Sequence, residues 1–169
     1  MSGQEKTHTG TRNELENVFE HAWKIHSYLT TFIQVADSKA GAIIAINTLS
    51  AALFSLVPPN IALWQKVLLA FSVVTLVIGL ILALLVIKPR VNNKSKDGLI
   101  FWGNIRAFEH YPGYQDAFFK TSPLGDVLKH NYYLAEVADQ KYKMLQRAMF
   151  WQCGALPGFW LAILLTRFL

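Results

Sequence analysis

Along this chain the spacing of apolar positions switches between a helical stripe and an unbroken run, and each switch marks an element. From Thr11 the apolar side chains fall at Leu15, Val18, Phe19, Ala22, Trp23, Leu29, Phe32 and Ile33, the three-four spacing of one helical face. Thr11 with Glu14 reads as a capping box, and Glu14 and Glu16 suit the positive end of the helix dipole. No breaker stands before Ala40, so one long helix is expected to run on into the next segment. There the stripe becomes a run. Ala40 to Val57 is uncharged, although Asn47, Thr48, Ser50 and Ser55 dilute it. Pro58-Pro59-Asn60 breaks the chain, and a short connection with Trp64 and Lys66 follows. Val67 to Ile87 is then about 21 residues without a charge, enough at about 1.5 Å per residue to cover a hydrocarbon core of roughly 30 Å. The two runs predict a transmembrane hairpin over 40–88, with spans at 40–57 and 67–87.

The stripe returns from about Gly125 to Met149, where Leu128, Asn131, Ala135, Ala138, Tyr142, Leu145 and Met149 keep a three-four spacing. Such a seam wants a partner helix, either the N-terminal helix of the same chain or the same helix of another subunit. Ala148 to Leu165 is interrupted by Gly154, Pro157 and Gly158, yet no charge appears until Arg167. It predicts a third span within 148–169, kinked at Pro157. The expected fold is an all-α membrane protein with three transmembrane helices and cytoplasmic amphipathic helices. The cytoplasmic parts would be a helix over 1–39 and an aromatic connector and helix over 89–147.

Composition and charge give this reading an orientation. At 53% apolar residues the 169-residue chain is too hydrophobic for an ordinary soluble domain. Lys88 to Arg147 carries ten Lys and Arg and the first forty residues four, whereas the connection between the first two spans offers only Lys66. By the positive-inside rule the N-terminus and the long middle segment are cytoplasmic and the C-terminus lies outside. The net charge of +5 thus reports topology and attraction to anionic lipid headgroups, and no DNA or RNA partner is expected. The polar first forty residues do not read as a secretory signal peptide. The lone cysteine, Cys153, sits inside a span, so neither a disulfide framework nor a metal site is expected.

Two groups of residues carry candidate chemistry. The connector "KDGLIFWGNIRAFEHYPGYQDAFF", Lys96 to Phe119, is rich in aromatics and has one interior cation, Arg106. Flat rings can stack on a base, a guanidinium can hold a phosphate, and an amide can read a polar edge. The competing reading is that these aromatics only pack the connector onto the helix pair, or sit at headgroup level. The other group lies where "DSKAGAIIAINTLSAALF" enters the first span. A polar side chain at membrane depth is expensive without a partner. Asn47 is expected to serve helix association, bonding to Asn47 of neighbouring subunits or to Ser72 or Thr75, with pore lining as the sharper alternative. Asp37 and Lys39 do not face each other on a helix. Asp37 could pair with Lys141, Lys143 or Arg147, while Lys39 could snorkel to headgroups or hold an anion. The histidines show no metal-ligand spacing, and no nucleophile elbow or phosphate loop is present. Glu136 and Asp139, beside Lys141 and Lys143, read as a solvated helix face. No enzyme activity is expected.

The order of elements, with "ADSKAGAIIAINTLSAALF", "LIFWGNIRAF" and "HNYYLAEVADQKYKMLQRAMFW", resembles the Pycsar effector transmembrane family of bacteria. The markers are Asp37, Lys39, Ala40 and Asn47, the "FWGN" block from Phe101 to Asn104, and "QKY" from Gln140 to Tyr142. The resemblance implies anti-phage defence. A partner pyrimidine cyclase would supply cyclic CMP or cyclic UMP, and the effector would oligomerise and impair the inner membrane. On this reading Arg106 would hold the phosphate, Phe101, Trp102, Tyr111 and Tyr114 would be the stacking candidates, and Asn104 would read a polar edge. Asp37, Lys39, Asn47, Lys141 and Tyr142 would form the membrane-boundary and gating group. A constitutive small channel or transporter, or a passive scaffold docking a partner protein, are the alternatives from other classes.

Overall fold

A computed structural model describes residues 4–55, 57–89 and 98–168, without the side chains of 4–12, 102 and 166–168. Among the described residues all regular structure is helical: α1 (Gln4–Phe54), α2 (Leu63–Ile87), α3 (Trp102–Arg106), α4 (Tyr111–Lys120) and α5 (Pro123–Phe168). Three of these, α1, α2 and α5, are long and apolar enough to cross a membrane. The expected helix-to-span continuity is found in α1, which passes Asp37, Lys39 and Ala40 without interruption.

Several boundaries differ from expectation. The expected capping box rests on the Thr11 side chain, which lies outside the described residues; α1 already runs through Thr11 and Glu14, so the helix does not start at Thr11. It ends at Phe54, three residues short of Val57, because Pro58 restricts the backbone before it. α2 takes in Trp64 and Lys66, having started at Leu63. Its start is fixed by Gln65, whose Oε1 accepts the Ala62 N–H at 2.8 Å, the back-reaching half of a capping box. Finally, the amphipathic helix from Gly125 and the third span are one helix, α5, which continues through Pro157.

The chain forms two compact units, Met1–Phe32 with Arg90–Ala138, and Ile33–Pro89 with Asp139–Leu169. In the second, the later part of α5 buries Leu145, Ala148, Gln152, Ala155, Phe159 and Ala162, a continuous three-four face. One core cluster joins Ala36, Ala40, Ile43, Ala83, Val86, Leu145 and Ala148. Its alanines let the backbones approach closely, as in membrane helix packing, where apolar burial alone gives no driving force. A second cluster joins Leu69, Leu76, Ala155, Phe159 and Ala162. Phe71, Val74, Val77, Ile81 and Leu84 remain exposed on α2, the surface that a hydrocarbon solvent would cover.

In the first unit, α1 packs on α5 through Ala22, which is buried, and Asn131, whose amide donates to the Ala22 carbonyl at 2.8 Å. The partner of this part of the seam is therefore the N-terminal helix of the same chain. The seam itself is rotated from the one expected. Val127, Asn131 and Ala138 are buried here, whereas Leu128 is half exposed. On α1 only Ala22 of the expected apolar face is buried; Leu15 and Val18 are exposed.

Candidate functional site

The first unit holds a cavity of about 340 Å³ among α1, the segment before α3, α3, α4 and α5. Its wall carries Phe19 and Trp23 of α1 and Tyr114 and Phe118 of α4, with Thr121 and Asp126 as polar groups. Asp126 stands in the first turn of α5, where a carboxylate suits the positive end of the helix dipole. It is buried, and its Oδ2 accepts the Leu99 N–H at 2.7 Å, which pins the connector to α5. Thr121 donates its hydroxyl to the Ala117 carbonyl at 2.9 Å, ending α4.

The residues expected to form a ligand site are placed unequally. Tyr114 lines the cavity and is half buried, with Phe108 edge-on at 5.6 Å and Phe118 at 6.1 Å between ring centroids. Asn104 is buried in α3. Arg106 ends α3 and is exposed; it follows Ile105, which lines the cavity. Tyr111 is 71% exposed and stands away from the cavity wall. Phe101 tilts against His130 at 6.4 Å. Trp102 opens α3, and its side chain lies outside the described residues. Sequence reasoning did not place Phe19, Trp23, Phe118 or Asp126 at this site. They belong to three helices whose convergence no local spacing encodes.

A short stack borders the cavity. Trp23 lies flat on His26, with centroids 4.9 Å apart and planes at 17°, and His26 meets His130 at 5.3 Å. Burial, and then the neighbouring His26, push the His130 pKa below its ordinary value, while Asp126 acts in the opposite direction. His26 Nδ1 and Asn131 Oδ1 are 3.3 Å apart.

The second unit gathers the membrane-boundary group. The Lys141 ammonium is buried and donates to the Asp37 carboxylate and, at 2.8 Å, to the Val86 carbonyl. Val86 lies in the last turn of α2, where carbonyls lack helical partners, so Lys141 caps α2 while pairing with α1. Lys39 is exposed, and Tyr142 packs against the alanine-rich core cluster. Lys143 pairs with Asp139 at 2.7 Å on an exposed face, so the solvated face holds Asp139 and Lys143 but not Lys141.

Asn47 is buried and joins two helices, and within the chain its partner across the interface is Gln152 rather than Ser72 or Thr75. Its amide donates to the Ile43 carbonyl at 2.9 Å and to Gln152 Oε1 of α5 at 3.0 Å. Ser72 and Thr75 instead return their hydroxyls to carbonyls of their own helix, a local bond that satisfies a hydroxyl without a neighbour. Gly79 of α2 makes room for this bridge. A Cβ there would come within 2.8 Å of Gln152 Oε1. Gln152 Nε2 is buried without a hydrogen-bond partner among the described residues. At the opposite end, Gln65 Nε2 approaches the Leu165 carbonyl at 3.4 Å. These polar links set α1 parallel and α2 antiparallel to α5 in this unit. Asn47 and Ser50 also edge a cavity of about 240 Å³ otherwise lined by apolar side chains.

The Pycsar effector protein domain family matches residues 21–168. The Pycsar effector protein SaPycTM of Staphylococcus aureus is 33% identical over 129 residues, covering 73% of this chain and 81% of that protein. No solved structure matches.

Proposed function

Since the chain belongs to the Pycsar effector family and is an anti-phage membrane effector with three candidate spans, we propose that a cyclic pyrimidine nucleotide triggers it to impair the inner membrane. The family match over residues 21–168 carries this reading, because it takes in the aromatic connector and all three apolar segments. In the proposed topology the first unit lies in the cytoplasm, as the Lys and Arg distribution supports, and the C-terminus lies outside. A partner cyclase supplies cyclic CMP or cyclic UMP. The nucleotide binds better to an assembled state of several copies than to the resting chain, and shifts the population toward it. To carry a two-state equilibrium from 1:99 to 99:1 that difference must reach about 5.5 kcal/mol. Lipids are the surrounding partner, and the protein performs no chemistry on the nucleotide.

In cells that co-express a pyrimidine cyclase, a potential-sensitive dye should report depolarisation only when both proteins are present. Arg106→Ala, at the exposed end of α3, should keep the protein in the membrane and abolish depolarisation. Depolarisation by the chain without any cyclase supports the constitutive channel instead. Depolarisation by Arg106→Ala as strong as by the natural chain removes Arg106 from the phosphate site.

A further inference from the structure

We propose that the cavity of the first unit takes the base of the nucleotide and selects an exocyclic amine, so that a cytosine nucleotide binds in preference to a uracil one. This deepens the effector reading and rests on it. The cavity, at about 340 Å³, is of the size that holds a small organic ligand. Phe19, Trp23, Tyr114 and Phe118 offer ring faces and edges to a planar heteroaromatic ring, a contact that every base satisfies and that carries no choice among bases.

The choice comes from the polar lining. Asp126 is a carboxylate, an acceptor with about four lone-pair sites, and its bond from the Leu99 N–H uses one of them. Thr121 commits its proton to the Ala117 carbonyl, so toward the cavity its oxygen can only accept. A base that presents an amine to these acceptors gains a charge-assisted hydrogen bond. One that presents a carbonyl at the same place sets lone pair against lone pair and brings the buried carboxylate no donor beyond the Leu99 N–H. For pyrimidines this separates the amine of cytosine from the oxygen of uracil. Among the described lining residues there is no Lys or Arg, so the phosphate is not drawn inside. The exposed Arg106, next in sequence to the lining Ile105, is a cation available to it outside, as is Lys120 beside the lining Thr121.

The test is equilibrium dialysis of the full chain in detergent micelles against cyclic CMP and cyclic UMP. Cyclic CMP should bind roughly tenfold tighter or more. In Asp126→Asn the side-chain oxygen still accepts from Leu99 while the new amide donates, so cyclic CMP should weaken and cyclic UMP should hold or improve. Phe118→Ala, which removes ring surface at a half-exposed position, should weaken both nucleotides alike and serves if Asp126→Asn fails to fold. Equal binding, a preference for cyclic UMP, a ratio that Asp126→Asn leaves unchanged, or a ratio that Phe118→Ala alters overturns the amine-selecting site. Each of these leaves the effector reading standing, since a nucleotide still binds. Binding of neither nucleotide overturns both.

Discussion

Lys141 of α5 and Asp37 of α1 form an ion pair that is buried on the lysine's side, and the same ammonium closes the last turn of α2 through the Val86 carbonyl. Three helices therefore meet at one nitrogen. The two partners differ in environment: the Lys141 side chain is 5% exposed and that of Asp37 35%. Removing one partner of a buried pair costs more than removing both, because the survivor keeps its desolvation penalty. Asp37→Ala strands the buried ammonium and should destabilise the protein toward the lower end of roughly 3–5 kcal/mol. Lys141→Met, which leaves a carboxylate that can reach water, should cost less, and the double variant should recover most of the Asp37→Ala loss. Denaturation of the three variants in micelles checks the order.

The Asn47 to Gln152 bridge depends on a glycine of the helix beside it. With a Cβ in Gly79→Ala, Gln152 Oε1 must move, and the Asn47 bond goes with it. Interhelical hydrogen bonds of this kind are worth about 1 kcal/mol in membrane proteins. Asn47→Leu should lower stability by about that amount. In Gly79→Ala the lost bond is set against the roughly 0.5–1 kcal/mol that Ala gains over Gly inside a helix, so Gly79→Ala should be near neutral alone and more favourable in the Asn47→Leu background. Double-mutant analysis of thermal denaturation reads the coupling. Additive effects would show that Gly79 acts independently of the bridge.

His130 gives the first unit a pH dependence with a definite sign. Its pKa is lowered chiefly by burial and then by His26, against the opposing pull of Asp126. Charging it therefore costs more in the folded unit than in the unfolded chain. The stability present above the ordinary histidine value of about 6.5 is lost as pH falls through that value toward the lowered one. Thermal melts of the full chain should fall between about pH 7.5 and about pH 5.5, and His130→Gln should flatten that slope.

Elements that depend on local periodicity were legible in the sequence. The uncharged run from Val67 to Ile87 and the unbroken stripe before Ala40 predict α2 and the continuity of α1, since length and spacing suffice for both. Asp37 could be matched only to a set of three cations, Lys141, Lys143 and Arg147, which lie within two turns of one helix; the packing of α1 on α5 selects Lys141. Gln152 was missed, although it carries the same signal as Asn47: one amide in an apolar segment, here "AMFWQCGALPG". Ser72 and Thr75 were the expected partners within the chain, but a helix can satisfy a hydroxyl locally and cannot so easily satisfy an amide. The rotation of the α5 seam, with Lys141 inside and Tyr142 beside it, was hidden because a lysine at a buried position reads as polar until its anion is located. The cavity was least legible. Phe19, Trp23, Tyr114 and Asp126 come from parts of the chain about a hundred residues apart and meet only through the packing of α1 on α5.

The most direct test of the central claim is leak of a trapped dye from liposomes that hold the purified protein. Cyclic CMP, cyclic UMP, cyclic AMP and no nucleotide are compared at equal protein content. Leak with a pyrimidine nucleotide, and none with cyclic AMP or buffer, is the predicted result. Leak that is equal in all four samples, or in none of them, contradicts a nucleotide-triggered membrane effector.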